Sequence, residues 1–225
     1  MSERKLRRDI VATIRRLAVA GLYSGSSGNI SARCGDGFLI TPTGIPCDET
    51  KPSDIVAMTL EGAHRGSLLP SSEWRFHRDI LRLCPEINAV IHTHSPFATA
   101  ISCLRRDIPP FHYMIAKAGG DTIRCARYAT FGTGALSKNA LAALEGRRAC
   151  LLANHGMIAV GADLGAARRL AEEVEALCEQ YWLALQIGHP VILPKAEMAA
   201  VIEKFKTYGR QPKKGHTRRS VRSAR

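Results

Sequence analysis

No apolar run in this 225-residue chain approaches the ~20 residues that a bilayer-spanning helix requires. The N-terminal stretch MSERKLRRDIVATIRRLAVAG is basic but lacks the continuous apolar core of a secretory signal. A cytoplasmic location and no membrane partner are therefore expected. Cysteine pairs spaced C-x-x-C are missing too. The seven cysteines are scattered and odd in number, which supports neither a zinc knuckle nor a disulfide framework. Most lie in apolar segments, as buried reduced thiols do. Neither G-x-G-x-x-G nor a Walker lysine occurs, so a nucleotide is not indicated.

Acid is absent from the last sixteen residues, RQPKKGHTRRSVRSAR, which carry seven of the twelve net positive charges. A tail of that composition is not expected to pack, and residues 210–225 are read as a basic, disordered extension of a single domain over residues 1–209. It can touch any polyanion, but without interleaved aromatics or a recognition motif it predicts no specific nucleic-acid partner.

What is present is the ordinary 45% hydrophobic and 23% charged composition of a globular chain, long enough for one sizeable core. Leu6, Ile10, Ile14 and Leu17 recur at helical spacing and predict an amphipathic first helix. Strands are expected at 28–33 and 37–41, in DIVAMTLEG, in NAVIHTH, in TIRCARYA, and as a pair or one bulged strand in ACLLANHGMIAVG. Helices are expected in SSEWRFHRDILRLCP with Ser71 or Ser72 as N-cap, in PFATAISCL behind its proline, in GALSKNALAALEG, in DLGAARRLAEEVEALCEQYWLALQIG and in KAEMAAVIEKFKTYG. Because this order does not alternate strictly, it predicts an α/β fold with a largely antiparallel sheet.

Three histidines stand in apolar strand contexts. His92 and His94, one residue apart, project to the same face if the strand continues through them. Such a pair holds a metal or is coincidental. His155 sits in LLANHGMI beside a glycine that leaves room for an imidazole. Alone it reads as a core histidine; with the other two it completes a tripod suited to zinc. Glu73, at the first turn of the SSEWRFH helix, is either an acid favoured by the helix dipole or a carboxylate near the metal serving as general base. His77, four residues on, either orients that carboxylate or fills the core. Three clusters rich in Ser, Thr and Gly (SGSSGNIS, TPTG and PSSE) have the composition of ordinary turns and also of a phosphate cradle.

The ordered set GSSGNIS, ITPTG, PSSEWRFH, AVIHTHSP, ANHG and EKFKTYG resembles the zinc-dependent class II aldolase/adducin family over residues ~5–209. The resemblance implies a central, mostly antiparallel sheet flanked by helices. It implies one Zn2+ per subunit on His92, His94 and His155, with Glu73 as a further ligand and as the base. Gly28, Asn29, Thr43, Gly44, Ser71 and Ser72 then bind the substrate phosphate, and Tyr113 and Phe131 line the aldehyde side. Tyr208 reaches a neighbouring subunit's site, within a homotetramer whose sites lie between subunits, and Tyr208 or Tyr113 is the proton donor. The implied reaction is reversible cleavage of a ketose 1-phosphate, L-fuculose 1-phosphate or a related deoxy-sugar phosphate, to dihydroxyacetone phosphate and an aldehyde. Rival readings within the family are 4-epimerase, dehydratase and decarboxylase. Epimerases usually carry aspartate where Glu73 stands. A non-catalytic adducin-like scaffold is disfavoured by the retained histidines and glutamate.

Overall fold

The computed structural model describes residues 2–208, so the basic extension lies outside the described residues. The first helix, α1 (Glu3–Val19), is capped by the Ser2 hydroxyl, which accepts from the Lys5 amide, and it buries Leu6, Ile10, Ile14 and Leu17. Then follow β1 (Asn29–Cys34), β2 (Gly37–Ile40), β3 (Val56–Thr59), β4 (His64–Arg65), α2 (Trp74–Leu83), β5 (Ala89–Thr93) and α3 (Pro96–Ser102). A 3-10 helix (Tyr113–Ala118) leads to β6 (Arg124–Ala126), α4 (Gly134–Leu144), β7 (Ala149–Leu152), β8 (Gly156–Gly161), α5 (Leu164–Ile187) and α6 (Lys195–Phe205).

The strands form one eight-stranded sheet in the order β4-β3-β2-β1-β5-β8-β7-β6. Every neighbour pair is antiparallel except β6–β7, so the largely antiparallel expectation is met with one parallel edge. Both faces are covered. Alternate residues of β5 serve two cores: Ala89 and Ile91 pack with α1 and α5, while Val90 packs with Phe76 and Ile80 of α2. A strand buried on both sides reads as a continuous apolar run, which is why NAVI precedes the histidines.

ACLLANHGMIAVG takes the first of its two expected forms, a hairpin pair of β7 and β8. Several boundaries differ from the sequence reading. The expected strand TIRCARYA shrinks to three residues at the sheet edge, and β4 and the 3-10 helix were not anticipated. The N-cap of α2 is Glu73, not Ser71 or Ser72. The Ser71 hydroxyl accepts from the Glu73 amide at 3.3 Å, and the Ser71 carbonyl takes the Trp74 amide at 3.0 Å. That turn consumes both serine acceptors before the helix begins and leaves Glu73 at its mouth.

Candidate active site

The site forms where the two central strands of the sheet end. In β5, His92 pairs with Asn29 of β1 on one side and with Ile158 of β8 on the other. His92 is fully buried, and its Nδ1 lies 2.8 Å from the Met157 carbonyl oxygen. That contact makes Nδ1 the protonated nitrogen and leaves Nε2 bare. His94 lies one residue beyond the strand and opens toward solvent. His155 arrives from the β7–β8 turn, where Asn154 has φ +54° and the His155 amide donates to the Ser102 hydroxyl at 3.3 Å. Gly156 is required there: a Cβ would lie 2.3 Å from the Thr93 carbonyl oxygen and 3.2 Å from the His94 ring.

The three imidazoles stand at the corners of a near-equilateral triangle, with ring centroids 4.8 Å apart in every pair and planes inclined by 66–75°. Glu73 closes the group. Its Oε2 lies 3.1 Å from His92 Nε2 and its Oε1 lies 3.3 Å from His155 Nε2. Candidate ligand atoms of all four residues fall within 4.8 Å of one another. Two observations fit a cation at their centre. His92 Nε2 and His94 Nε2 approach to 2.9 Å, where two neutral lone pairs repel unless a proton or a metal lies between them. Glu73 Oε1 is buried with no hydrogen-bond partner among the described residues. The donors, three imidazoles and one carboxylate, are those of borderline divalent ions such as zinc.

Burial raises the Glu73 carboxyl, but His92, the Asn29 amide and His155 outweigh it and hold the group below the usual carboxylate range. Desolvation and the neighbouring His92 push His94 and His155 down to about 4. These shifts favour neutral His94 and His155 beside an ionised Glu73, protonation states a metal needs.

A cleft of about 440 Å³ opens from this group. Glu73, His94 and His155 form its inner end, whereas His92 is covered behind them. Gly28, Asn29, Thr43, Gly44, Ser71 and Ser72 line its walls. Two of the three loops are joined to each other: Ser71 N donates to the Thr41 carbonyl at 2.9 Å and Thr43 N to the Leu69 carbonyl at 3.1 Å. Gly28 (φ +92°) runs against the Tyr23 ring and the His92 carbonyl, 2.9 and 2.8 Å from where a Cβ would be. Phe131, 64% exposed, stands at the rim. The sequence reading did not single out Tyr128, Ala129 or Asn154, which also line the cleft. Asn154 adjoins a flagged histidine, whereas nothing in the local pattern marks Tyr128.

Tyr113 and Tyr208 are not among the residues lining this cleft. They meet elsewhere, on the surface. The Tyr113 ring is parallel to Phe205 of α6 at 6.3 Å, and Tyr208 meets Phe205 at 5.3 Å. Both are half or more exposed.

Fold and donor set together define an α/β protein with a candidate divalent-metal centre at the end of its central strands. The chain belongs to the class II aldolase and adducin family: the profile of the Class II Aldolase and Adducin N-terminal domain matches residues 8–182. It is 57% identical over 204 residues to a 5-methylthioribulose-1-phosphate/5-deoxyribulose-1-phosphate aldolase of Rhodospirillum rubrum, covering 91% of this chain and 92% of the relative. It is 49% identical over 210 residues to the L-fuculose phosphate aldolase of Escherichia coli K12, covering 93% and 98%. A solved L-fuculose 1-phosphate aldolase superposes with a TM-score of 0.87 at 43% identity, over 90% of this chain and 96% of that one. Among the described residues no helix is long and apolar enough to cross a membrane.

Proposed function

We propose that this chain is a zinc-dependent aldolase that reversibly cleaves a ketose 1-phosphate to dihydroxyacetone phosphate and an aldehyde. The observation that carries the reading is the buried, unpartnered Glu73 Oε1 among three imidazoles, at the end of a cleft walled by hydroxyls and glycines. The similarity to aldolases of 5-deoxyribulose and L-fuculose phosphates supports a deoxy-sugar phosphate as substrate.

His92, His94, His155 and Glu73 would hold the ion, which when bound supplies Lewis-acid polarisation of a substrate carbonyl. Gly28, Asn29, Thr43, Gly44, Ser71 and Ser72 would hold the phosphate, remote from the reacting carbon, so that its binding serves orientation. Glu73 Oε1, free of hydrogen bonds, takes the carbon-bound proton in condensation and returns it after cleavage. Phe131 faces the aldehyde half. Tyr113 and Tyr208, away from their own chain's cleft, would serve the site of a neighbouring subunit as proton donors in a homotetramer. The catalytic domain would end at residue 209, and the enzyme would work in the cytoplasm.

The test is turnover with 5-deoxyribulose, 5-methylthioribulose and L-fuculose 1-phosphates, with and without chelator, detecting dihydroxyacetone phosphate. Chelator-sensitive release restored by zinc is expected. The Glu73→Gln variant should retain zinc while kcat falls by about 10²- to 10⁴-fold. No release from any ketose phosphate by the zinc-loaded protein would redirect the reading to dehydration or decarboxylation.

A further inference from the structure

Behind Glu73 runs a buried polar chain that the reaction as described does not use. Asn29 Nδ2 donates to Glu73 Oε2 at 2.9 Å. Asn29 Oδ1 lies 2.5 Å from His77 Nε2, and His77 Nδ1 lies 2.7 Å from the Ser31 hydroxyl. Asn29 is 3% exposed, and Ser31 and His77 are fully buried. Two periodicities assemble it: Asn29 and Ser31 share one face of β1, and His77 follows Glu73 by four residues.

The direction of each hydrogen bond follows from the carboxylate. An ionised Glu73 accepts only, so Asn29 must turn its NH2 toward it and its oxygen toward His77. That oxygen requires a proton on His77 Nε2, which leaves Nδ1 as acceptor for the Ser31 hydroxyl. Every polar atom named is then satisfied, and one tautomer and one amide orientation are selected. Neighbouring positions on this face of the sheet and helix are apolar: Phe38, Ile80 and Val90. An apolar residue at 77 would suit that core as well, since satisfied buried polar networks rarely exceed well-packed apolar groups in stability.

We infer that His77 is a positioning residue: through the Asn29 amide it fixes Glu73 Oε2 and thereby leaves Oε1, beside His155, as the oxygen without a hydrogen bond. The inference rests on the reading of Glu73 as the base. It also gives Asn29 a second task beside its place in the cleft wall, since its side-chain amide is committed to this chain.

The test combines three readouts on the full-length protein. In zinc-free wild type labelled with ¹⁵N-histidine, the His77 signal, assigned by its loss in His77→Gln, should be that of a neutral ring protonated on Nε2. In the zinc-loaded enzyme, His77→Leu should lower kcat about ten- to a hundredfold with zinc content and KM for the ketose phosphate held. His77→Gln, which offers a donor and an acceptor again, should recover much of that loss. In a Glu73→Gln background, His77→Leu should cost little more, because the two residues act as one unit. A proton on Nδ1, a loss carried by KM, or an equal loss in both backgrounds would overturn the inference. An inactive wild type, or a fully active Glu73→Gln, would instead overturn the reading of the base, and the tautomer would still decide whether the chain exists.

Discussion

Among the described residues a larger cleft than the one at the histidines lies elsewhere in the molecule. A cavity of about 780 Å³ lies between one side of α1, the start of α5 and the β1–β2 turn, with Asp9, Arg33, Asp163, Arg168 and Arg169 in its walls. Its polar groups are largely committed to the fold. Arg33 donates to Asn88 at 3.1 Å and to the Ile87 carbonyl at 3.1 Å, Arg168 pairs with Glu172, and Asp163 caps α5 by accepting from Ala166 at 2.7 Å. In the smaller cleft a buried carboxylate oxygen is left over and two imidazole nitrogens face one another. Size measures how helices fail to meet. An unsatisfied buried polar group marks where a ligand is needed, because the fold bears its desolvation cost without return.

Substitutions that separate the two clefts rank from severe to silent. Replacing His155 by Ala should remove the metal and abolish turnover, as read by metal analysis beside the assay; retention of a full metal complement would break the comparison. Next, Gly28→Ala places a Cβ 2.8 Å from the His92 carbonyl oxygen at φ +92°. It should lower stability by about 1–3 kcal/mol in denaturant titration and reduce turnover with it.

Acid should act on the small cleft's side of the sheet. Burial and the neighbouring His92 push His77 down to about 3, against an ordinary value of 6.5. Between those values the unfolded chain binds the extra proton, so metal-free stability falls as pH drops from 6.5 toward 3. The slope is at most about 1.4 kcal/mol per pH unit from this group. Denaturant midpoints of wild type and His77→Gln across that range should converge as pH falls. A parallel decline would assign the loss to other groups. Smallest is Arg169→Ala in the large cleft, expected to change stability by no more than about 0.5 kcal/mol and to leave turnover intact. A tenfold loss of turnover there would give the large cleft a role.

How much of this was legible beforehand varies with how local each cause is. His92 was readable from the apolar run of β5, although the strand stops at Thr93 and His94 lies just past it, and Gly156 pointed to the space needed beside His155. The Ser/Thr/Gly clusters were readable as composition, and all three loops reach the cleft. The cap of α2 was misplaced by two or one residues, because Ser71 spends its acceptors on the turn itself. Tyr128 carried no signal, since its place at the cleft depends on how the β6–α4 segment crosses the ends of other strands.

The sequence by itself determined the longer elements, the two-sided apolar run of β5 and the residue types that can hold a metal, all of which follow from periodicity and side-chain chemistry. Only the tertiary structure decided that 29, 73, 77, 92, 94 and 155 converge. It also decided which nitrogen of His92 faces inward, which oxygen of Glu73 is free, and that Tyr113 and Tyr208 stay away from their own chain's cleft. Those facts depend on the pairing of β1 with β5 and β8 and on the packing of α2 against them. Such long-range contacts form only when distant segments fold together, and a local pattern does not name the partner strand.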